Sequence, residues 1–516
     1  MLTVLALLTL LAGAGAARRG ARVVRTPQGP VRGYPAQDQP PHYLYLGIPY
    51  ASPPTNNYAF KAPRRPPRWE GVLEATRAPR CPQPGARADH CLALNVFAPA
   101  GTNLPVVVIV HGGGFRHGSG ATRAPAALIK QGLIVVTLNY RLGALGFLCL
   151  DSPEVSANAG AKDVLFALYW VQRNIESFGG DKYQITAYGV GAGAAIVEML
   201  LLTGMTEGLI HRAILESGSI LSPASLVHDP VSVAYDAAVS LGYAGRKTSD
   251  DLLLFYRHAA TELLLNISDY FMFVPCVENK NYQDSLLEAD PLEILKSRKF
   301  HEVPLLISYT EDGGASLNNF KVGQLPEHFE DLLPNNLAIT DWEVKHKVAK
   351  ITKEFYFEED LDEKADLSKL LANYLNDILV EYPIVKSALL HASGSNKPVY
   401  LMKLMNNGIE ENGEDSVLKY LYETENVGFD ASVLSVMWSN FIKVGDPTPI
   451  KTEPIVAIWL PVYNSEDGIA KISNVPTLFV GNGMKMGRPQ SSNHLAFWDN
   501  IYKNFYNHNH TILNVT

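Results

Sequence analysis

A chain of 516 residues, 47% hydrophobic and 19% charged, can bury a large core and shows no stretch biased enough to read as disordered. A formal net charge of −8 argues against nucleic acid or an anionic membrane surface as the main partner. No internal repeat is visible and no linker separates two domains, so residues 18–516 read as a single domain.

Residues 2–11 form a short apolar run, and Ala14-Gly15-Ala16 ahead of Arg18 and Arg19 resembles a cleavage site, so residues 1–17 read as a secretory signal. The run is shorter than the roughly 20 residues that cross a bilayer. The alternative is an N-terminal anchor, which the absence of Lys or Arg at the very start leaves open. No other window is apolar enough for a membrane span, and the expected product is secreted. Asn266-Ile267-Ser268, Asn509-His510-Thr511 and Asn514-Val515-Thr516 are N-glycosylation acceptors by sequence. Arg64, Arg65, Arg68, Arg77, Arg80 and Arg87 are read as a solvated basic face. Of the four cysteines, Cys81 and Cys91 are close together and flanked by Pro82, Pro84 and Gly85, which suits a small disulfide loop. Cys149 and Cys276 sit in apolar surroundings and are expected to be buried free thiols.

Residues 106–110, 133–138 and 184–188 are continuous apolar runs rich in β-branched side chains, as expected of strands buried on both faces of a parallel sheet. Between the second and third, residues 163–178 place Val164, Leu168, Val171 and Ile175 on one helical face, with Gln172 and Arg173 off it and Gly179-Gly180 as the stop. A further helix is predicted over 193–202, strands over 303–307 and 399–404, and an amphipathic surface helix over 361–378. Strands alternating with helices predict an α/β architecture, a mostly parallel sheet with helices on both faces.

The third strand runs into Gly189-Val190-Gly191-Ala192-Gly193, where a helix begins. Taken alone, this turn has two readings. It has the G-x-x-x-G spacing of a nucleophile elbow, G-x-S-x-G, with glycine in the serine position. It also meets the looser, alanine-ending form of a phosphate-cradling turn at Ala194. The context is more specific. His111-Gly112-Gly113-Gly114-Phe115 follows the first strand. Gly47-Ile48-Pro49-Tyr50-Ala51, Trp69-Glu70-Gly71, Leu94-Asn95-Val96, Asn139-Tyr140-Arg141-Leu142-Gly143, Asn158-Ala159-Gly160, Phe178-Gly179-Gly180-Asp181, Ser217-Gly218-Ser219, Trp438-Ser439-Asn440-Phe441 and Phe497-Trp498 come in that order along the chain. In this joint order the chain resembles the type-B carboxylesterase and cholinesterase family of α/β-hydrolases, over nearly its whole length.

That resemblance implies a serine nucleophile, a glutamate and a histidine, in that order along the chain. Residue by residue, the serine position is Gly191. Ungapped, the glutamate falls on Gly313, and Asp312 or Glu311 could substitute only with a shift of the turn. The histidine position falls on Glu414, and residues 392–493 contain no histidine at all. The three-donor oxyanion hole is implied at the backbone N–H groups of Gly113, Gly114 and Ala192. The family's chemistry needs no metal and no cofactor, and none is expected. The resulting expectation is a secreted, non-catalytic carboxylesterase-like protein that binds an extracellular protein partner or a small lipophilic ligand. The alternative is weak or rewired ester hydrolysis through Ser217 or Ser219 and a distant histidine such as His111 or His494. In the bland reading Ser217 is a buried hydrogen-bonding residue and His111 holds loop backbone in place.

Overall fold

The computed structural model describes residues 20–37, 39–54, 58–86, 90–123, 125–311, 313, 328–357, 367–405, 417–422, 429–450, 457–462, 471–481, 483–489 and 491–506. Among them the chain forms thirteen strands. They are β1 (Arg22–Thr26), β2 (Gly29–Pro35), β3 (His42–Pro49), β4 (Leu73–Glu74), β5 (Ala93–Pro99), β6 (Leu104–Val110), β7 (Ile134–Leu138), β8 (Gly180–Val190), β9 (Arg212–Glu216), β10 (Leu305–Thr310), β11 (Val399–Leu404), β12 (Thr477–Gly481) and β13 (Gly483–Gly487). The sheet order is β1-β2-β3-β5-β7-β6-β8-β9-β10-β11-β12-β13, with β4 on the side of β2. From β7 to β12 every neighbouring pair is parallel. Antiparallel strands close both edges.

The apolar runs read from the sequence are the central parallel strands, and their alternation explains why they are continuous. Val106, Val108 and Val110 of β6, with Ile134, Val136 and Leu138 of β7, face one core. Val107, Ile109 and Val135 face the other. Each face is covered by helices. The helix Ala159–Asn174 puts Val164, Leu168 and Val171 into the first core, the face expected from the sequence, and continues through a 3-10 turn at Ile175–Phe178. The helix Phe429–Val444 buries Val433, Leu434, Met437, Trp438, Phe441 and Ile442 in the second. β8 is longer than the predicted run, and β10 begins two residues later than predicted. The amphipathic stretch near 361–378 is a helix over Leu367–Asn376, followed by a π-turn at Asp377–Glu381. It is less superficial than expected, because Leu371, Tyr374 and Leu375 are buried.

Cys81 and Cys91 are joined, as the spacing suggested. The expectation for the other two cysteines is overturned: Cys149 and Cys276 form a second disulfide across a sequence separation of 127. Asn158 draws the two segments together. Its amide donates to the Cys276 carbonyl and its side-chain oxygen accepts from the Cys276 N–H, both at 2.9 Å. Apolar surroundings alone could not distinguish a buried thiol from a buried bridge. Arg64, Arg65, Arg68, Arg77 and Arg80 are exposed, in line with a solvated face, while Arg87 lies outside the described residues. Asn266 is exposed, but Ser268 of the same triplet is buried and donates to the Leu264 carbonyl at 2.7 Å. Asn509 and Asn514 lie outside the described residues. No described helix is long and apolar enough to cross a membrane.

Candidate functional site

The turn after β8 is dictated by close packing. A Cβ on Gly189 would sit 2.2 Å from the Gly193 carbonyl oxygen, and one on Gly193 would sit 2.1 Å from the carbonyl oxygen of Val110. Neither position tolerates a side chain. Between them Gly191 has φ 53° and ψ −117°, and the helix Ala192–Leu201 starts at the next residue. The turn is pinned by the Gly191 N–H, which donates to the Glu216 carbonyl at 2.7 Å. Gly191 itself is not sterically forced. A Cβ there would meet no atom closer than the Gly112 Cα at 3.9 Å. Only its backbone conformation favours glycine, by roughly 1–3 kcal/mol.

The glycine-rich loop lies directly against this turn, since a Cβ on Gly112 would approach the Val190 carbonyl oxygen to 2.8 Å. Gly113 and Gly114 have φ of 108° and 59°, and Arg116 and His117 donate their N–H groups to the Gly113 carbonyl at 3.1 and 3.0 Å. Among the described residues, no backbone carbonyl accepts from the N–H groups of Gly113, Gly114 or Ala192. Gly113 is exposed, Gly191 is partly exposed and Ala192 is buried.

His111 serves as the anchor of this loop. Its ring stacks on Tyr140 at 4.4 Å between centroids, its Nδ1–H donates to the Gly112 carbonyl at 2.8 Å, and the Tyr140 hydroxyl donates to the His111 carbonyl at 2.9 Å. Burial, opposed by the Gly112 hydrogen bond, pulls its pKa down to about 4. It is therefore neutral at pH 7 and a poor proton acceptor. Because the unfolded imidazole titrates near 6.5, the unfolded chain binds a proton that the folded chain refuses between those two values. The neutral ring's contribution to stability is complete above pH 6.5 and is lost as pH falls toward 4, by at most about 3 kcal/mol. Partial exposure of the residue reduces that figure. We expect His111→Gln to flatten the fall in urea midpoint between pH 6.5 and 4.5 relative to wild type; parallel profiles would contradict this.

The turn Ser217-Gly218-Ser219 after β9 packs under the elbow, where a Cβ on Gly218 would sit 2.1 Å from the Gly191 carbonyl oxygen. Ser217 departs from the bland reading. Its backbone has φ 52°, its N–H donates to the Ser308 carbonyl at 2.8 Å, and its Oγ is buried without a hydrogen-bond partner among the described residues. Ser219 is committed elsewhere, donating to Glu198 at 2.7 Å. Glu198, fully buried in the elbow helix, also accepts from the Ile220 N–H at 2.8 Å and the Ser387 hydroxyl at 2.5 Å. His391 Nε2 stands 3.4 Å away, within ion-pair range but not aligned as a hydrogen bond. Burial raises the Glu198 pKa, and the contacts to His391, Ser387 and Ser219 outweigh it and hold the carboxyl below its usual range. Sequence reading missed this network because its members come from three distant segments.

The remaining expected positions are only partly placed. Gly313 follows β10, and a Cβ there would lie 3.1 Å from the Thr310 hydroxyl oxygen and 3.4 Å from Val380 of the π-turn. Glu311 donates its N–H to the Leu404 carbonyl at 3.0 Å, and Asp312 and Glu414 lie outside the described residues. His494 is occupied by Asp377, whose carboxylate lies 2.7 Å from its Nδ1 and raises its pKa.

A glycine loop after β6 and a strand–turn–helix after β8, packed against each other at the carboxyl ends of parallel strands, form the geometry of an α/β-hydrolase site. The model of the carboxylesterase family matches residues 20–498. The chain belongs to the carboxylesterase family. Among its carboxylesterase relatives, Esterase E4 of Myzus persicae is 30% identical over 81% of this chain and 84% of that protein. The juvenile hormone esterase of Heliothis virescens is 28% identical over 92% of this chain and 87% of that protein. The crystal structure of juvenile hormone esterase from Manduca sexta, with OTFP covalently attached, superposes with a TM-score of 0.81 at 25% identity. It covers 94% of this chain and 100% of that one. The carboxylesterase scaffold expected from the glycine loop and elbow is thus present.

Proposed function

We propose that this carboxylesterase-family chain is a secreted, non-catalytic member that binds a lipophilic ester or acid, or a protein partner, without hydrolysing it. The observation that carries the reading is Gly191, held at φ 53° at the tip of the elbow with no side chain to present. An acyl-enzyme needs a nucleophile there and a base beside it. The N–H groups of Gly113, Gly114 and Ala192 remain suitable for a carbonyl or carboxylate oxygen, which favours a small ligand beside the elbow. Export is supported by the two disulfides, which persist in oxidising compartments.

Incubating the purified protein with a mixture of hydrophobic esters and acids, then desalting and reading native mass spectra, is expected to recover intact, unhydrolysed ligand. Recovery of no ligand would count against small-molecule binding. A second reading, weak or rewired hydrolysis, is favoured by the esterase relatives and by the unpartnered Ser217 hydroxyl. Covalent labelling by an organophosphonate, abolished in Ser217→Ala, would establish that reading instead.

A further inference from the structure

The Cys149–Cys276 bridge closes one wall of a cavity of about 320 Å³. That volume falls within the range of about 300–1,000 Å³ usual for small-molecule sites. None of its lining residues belongs to the elbow or the glycine loop. The disulfide and the paired Asn158 amide hold together two of the segments that line it, so those walls are largely pre-formed. Leu150, Val155, Val231 and Val277 add apolar surface beside the disulfide.

The polar part of the lining is unbalanced in charge. It carries three carboxylates, Asp151, Glu278 and Asp284, against one ammonium, Lys162. Lys162 is buried, its side chain 6% exposed, and stands 3.2 Å from Glu278 and 3.5 Å from Asp284. Lys162 is thus shared between the buried Glu278 and the exposed Asp284. Asp284 remains 44% exposed at the rim. Asp151 accepts from the Tyr282 hydroxyl at 2.8 Å and the Asn279 amide at 3.3 Å, and has no cationic partner among the described residues. An anion entering here would meet excess negative charge, and a neutral ligand would leave it uncompensated.

We propose that this cavity is a second ligand site that takes a small organic amine. Its ammonium group faces the Asp151 and Asp284 carboxylates, and its apolar body lies on the disulfide and valine wall. The site is independent of the elbow and of whether the elbow turns over esters.

Isothermal titration of the full-length protein at low salt tests this with three probes of similar shape: phenethylamine, 2-phenylethanol and 3-phenylpropanoate. The amine is expected to bind saturably, the alcohol at least about tenfold more weakly, and the carboxylate not at all. Asp284→Asn is expected to weaken the amine about fivefold, the scale of one partly exposed ion pair. The fold tolerates this change because Lys162 keeps Glu278. Val277→Trp, at a position 39% exposed, is expected to fill the cavity and abolish amine binding at an unchanged melting temperature. No saturation by the amine at millimolar concentration, equal binding of all three probes, or unchanged amine affinity in Val277→Trp would each overturn the proposal.

Discussion

Gly191→Ser is expected to fold and still fail to hydrolyse esters. The fold should survive because the space is there: the nearest atom to an added Cβ is the Gly112 Cα at 3.9 Å. The cost is the strained backbone at φ 53°, roughly 1–3 kcal/mol. Chemistry should not return, because a neutral serine hydroxyl is a poor nucleophile until a base takes its proton. His111 has committed Nδ1 to the Gly112 carbonyl and is held near pKa 4. His391 faces Glu198, and His494 faces Asp377. Residues 392–493 supply no histidine. Losing the base alone costs about 10⁶-fold in kcat in a serine hydrolase, and the serine variant is expected to show a deficit of that order. A p-nitrophenyl ester assay beside a serine-containing relative reads it directly. Turnover within about a hundredfold of that relative would mean that another group acts as base.

The second large effect concerns the unexpected cross-link. In the chain-entropy account, a bridge stabilises by restricting the unfolded state, more for longer loops. For a separation of 127 that amounts to about 5 kcal/mol, and for the separation of 10 between Cys81 and Cys91 to about 2.7 kcal/mol. We therefore expect Cys149→Ala/Cys276→Ala to lose about 2 kcal/mol more than Cys81→Ala/Cys91→Ala in urea unfolding. Equal losses would show that residual structure or native-state strain, rather than loop closure, sets the value of these bridges.

The parts of the fold legible in the sequence were those with local causes. β6, β7 and β11 could be read because strands buried on both faces are apolar at nearly every position, with Thr137 and the Glu381-paired Lys403 as exceptions. The elbow could be read because its glycine spacing is local, and Gly189 meets the Gly193 carbonyl within the same turn. β1 and β2 escaped notice because their buried and exposed positions alternate with polar residues in short segments. The bridge between Cys149 and Cys276, the unpartnered Ser217 hydroxyl and the Glu198 network escaped for a different reason. Each depends on segments brought together from far apart, and no local pattern announces a tertiary contact. Gly113 and Gly114 follow Gly112, which packs against Val190, and Ala192 opens the elbow helix, whereas Glu414 falls outside the described residues.

The two outer elbow glycines answer to a different constraint from the residue between them. Gly189 and Gly193 are held by contacts of 2.2 and 2.1 Å that any side chain would violate, whatever the turn is used for. Side chains at those positions are opposed by packing, while at position 191 the constraints are the strained backbone conformation and whatever chemistry the turn must perform. A lineage that stops needing the reaction would therefore keep the outer glycines and lose the centre. In this chain the flanking glycines answer to packing that any use of the turn would require, and the residue between them does not.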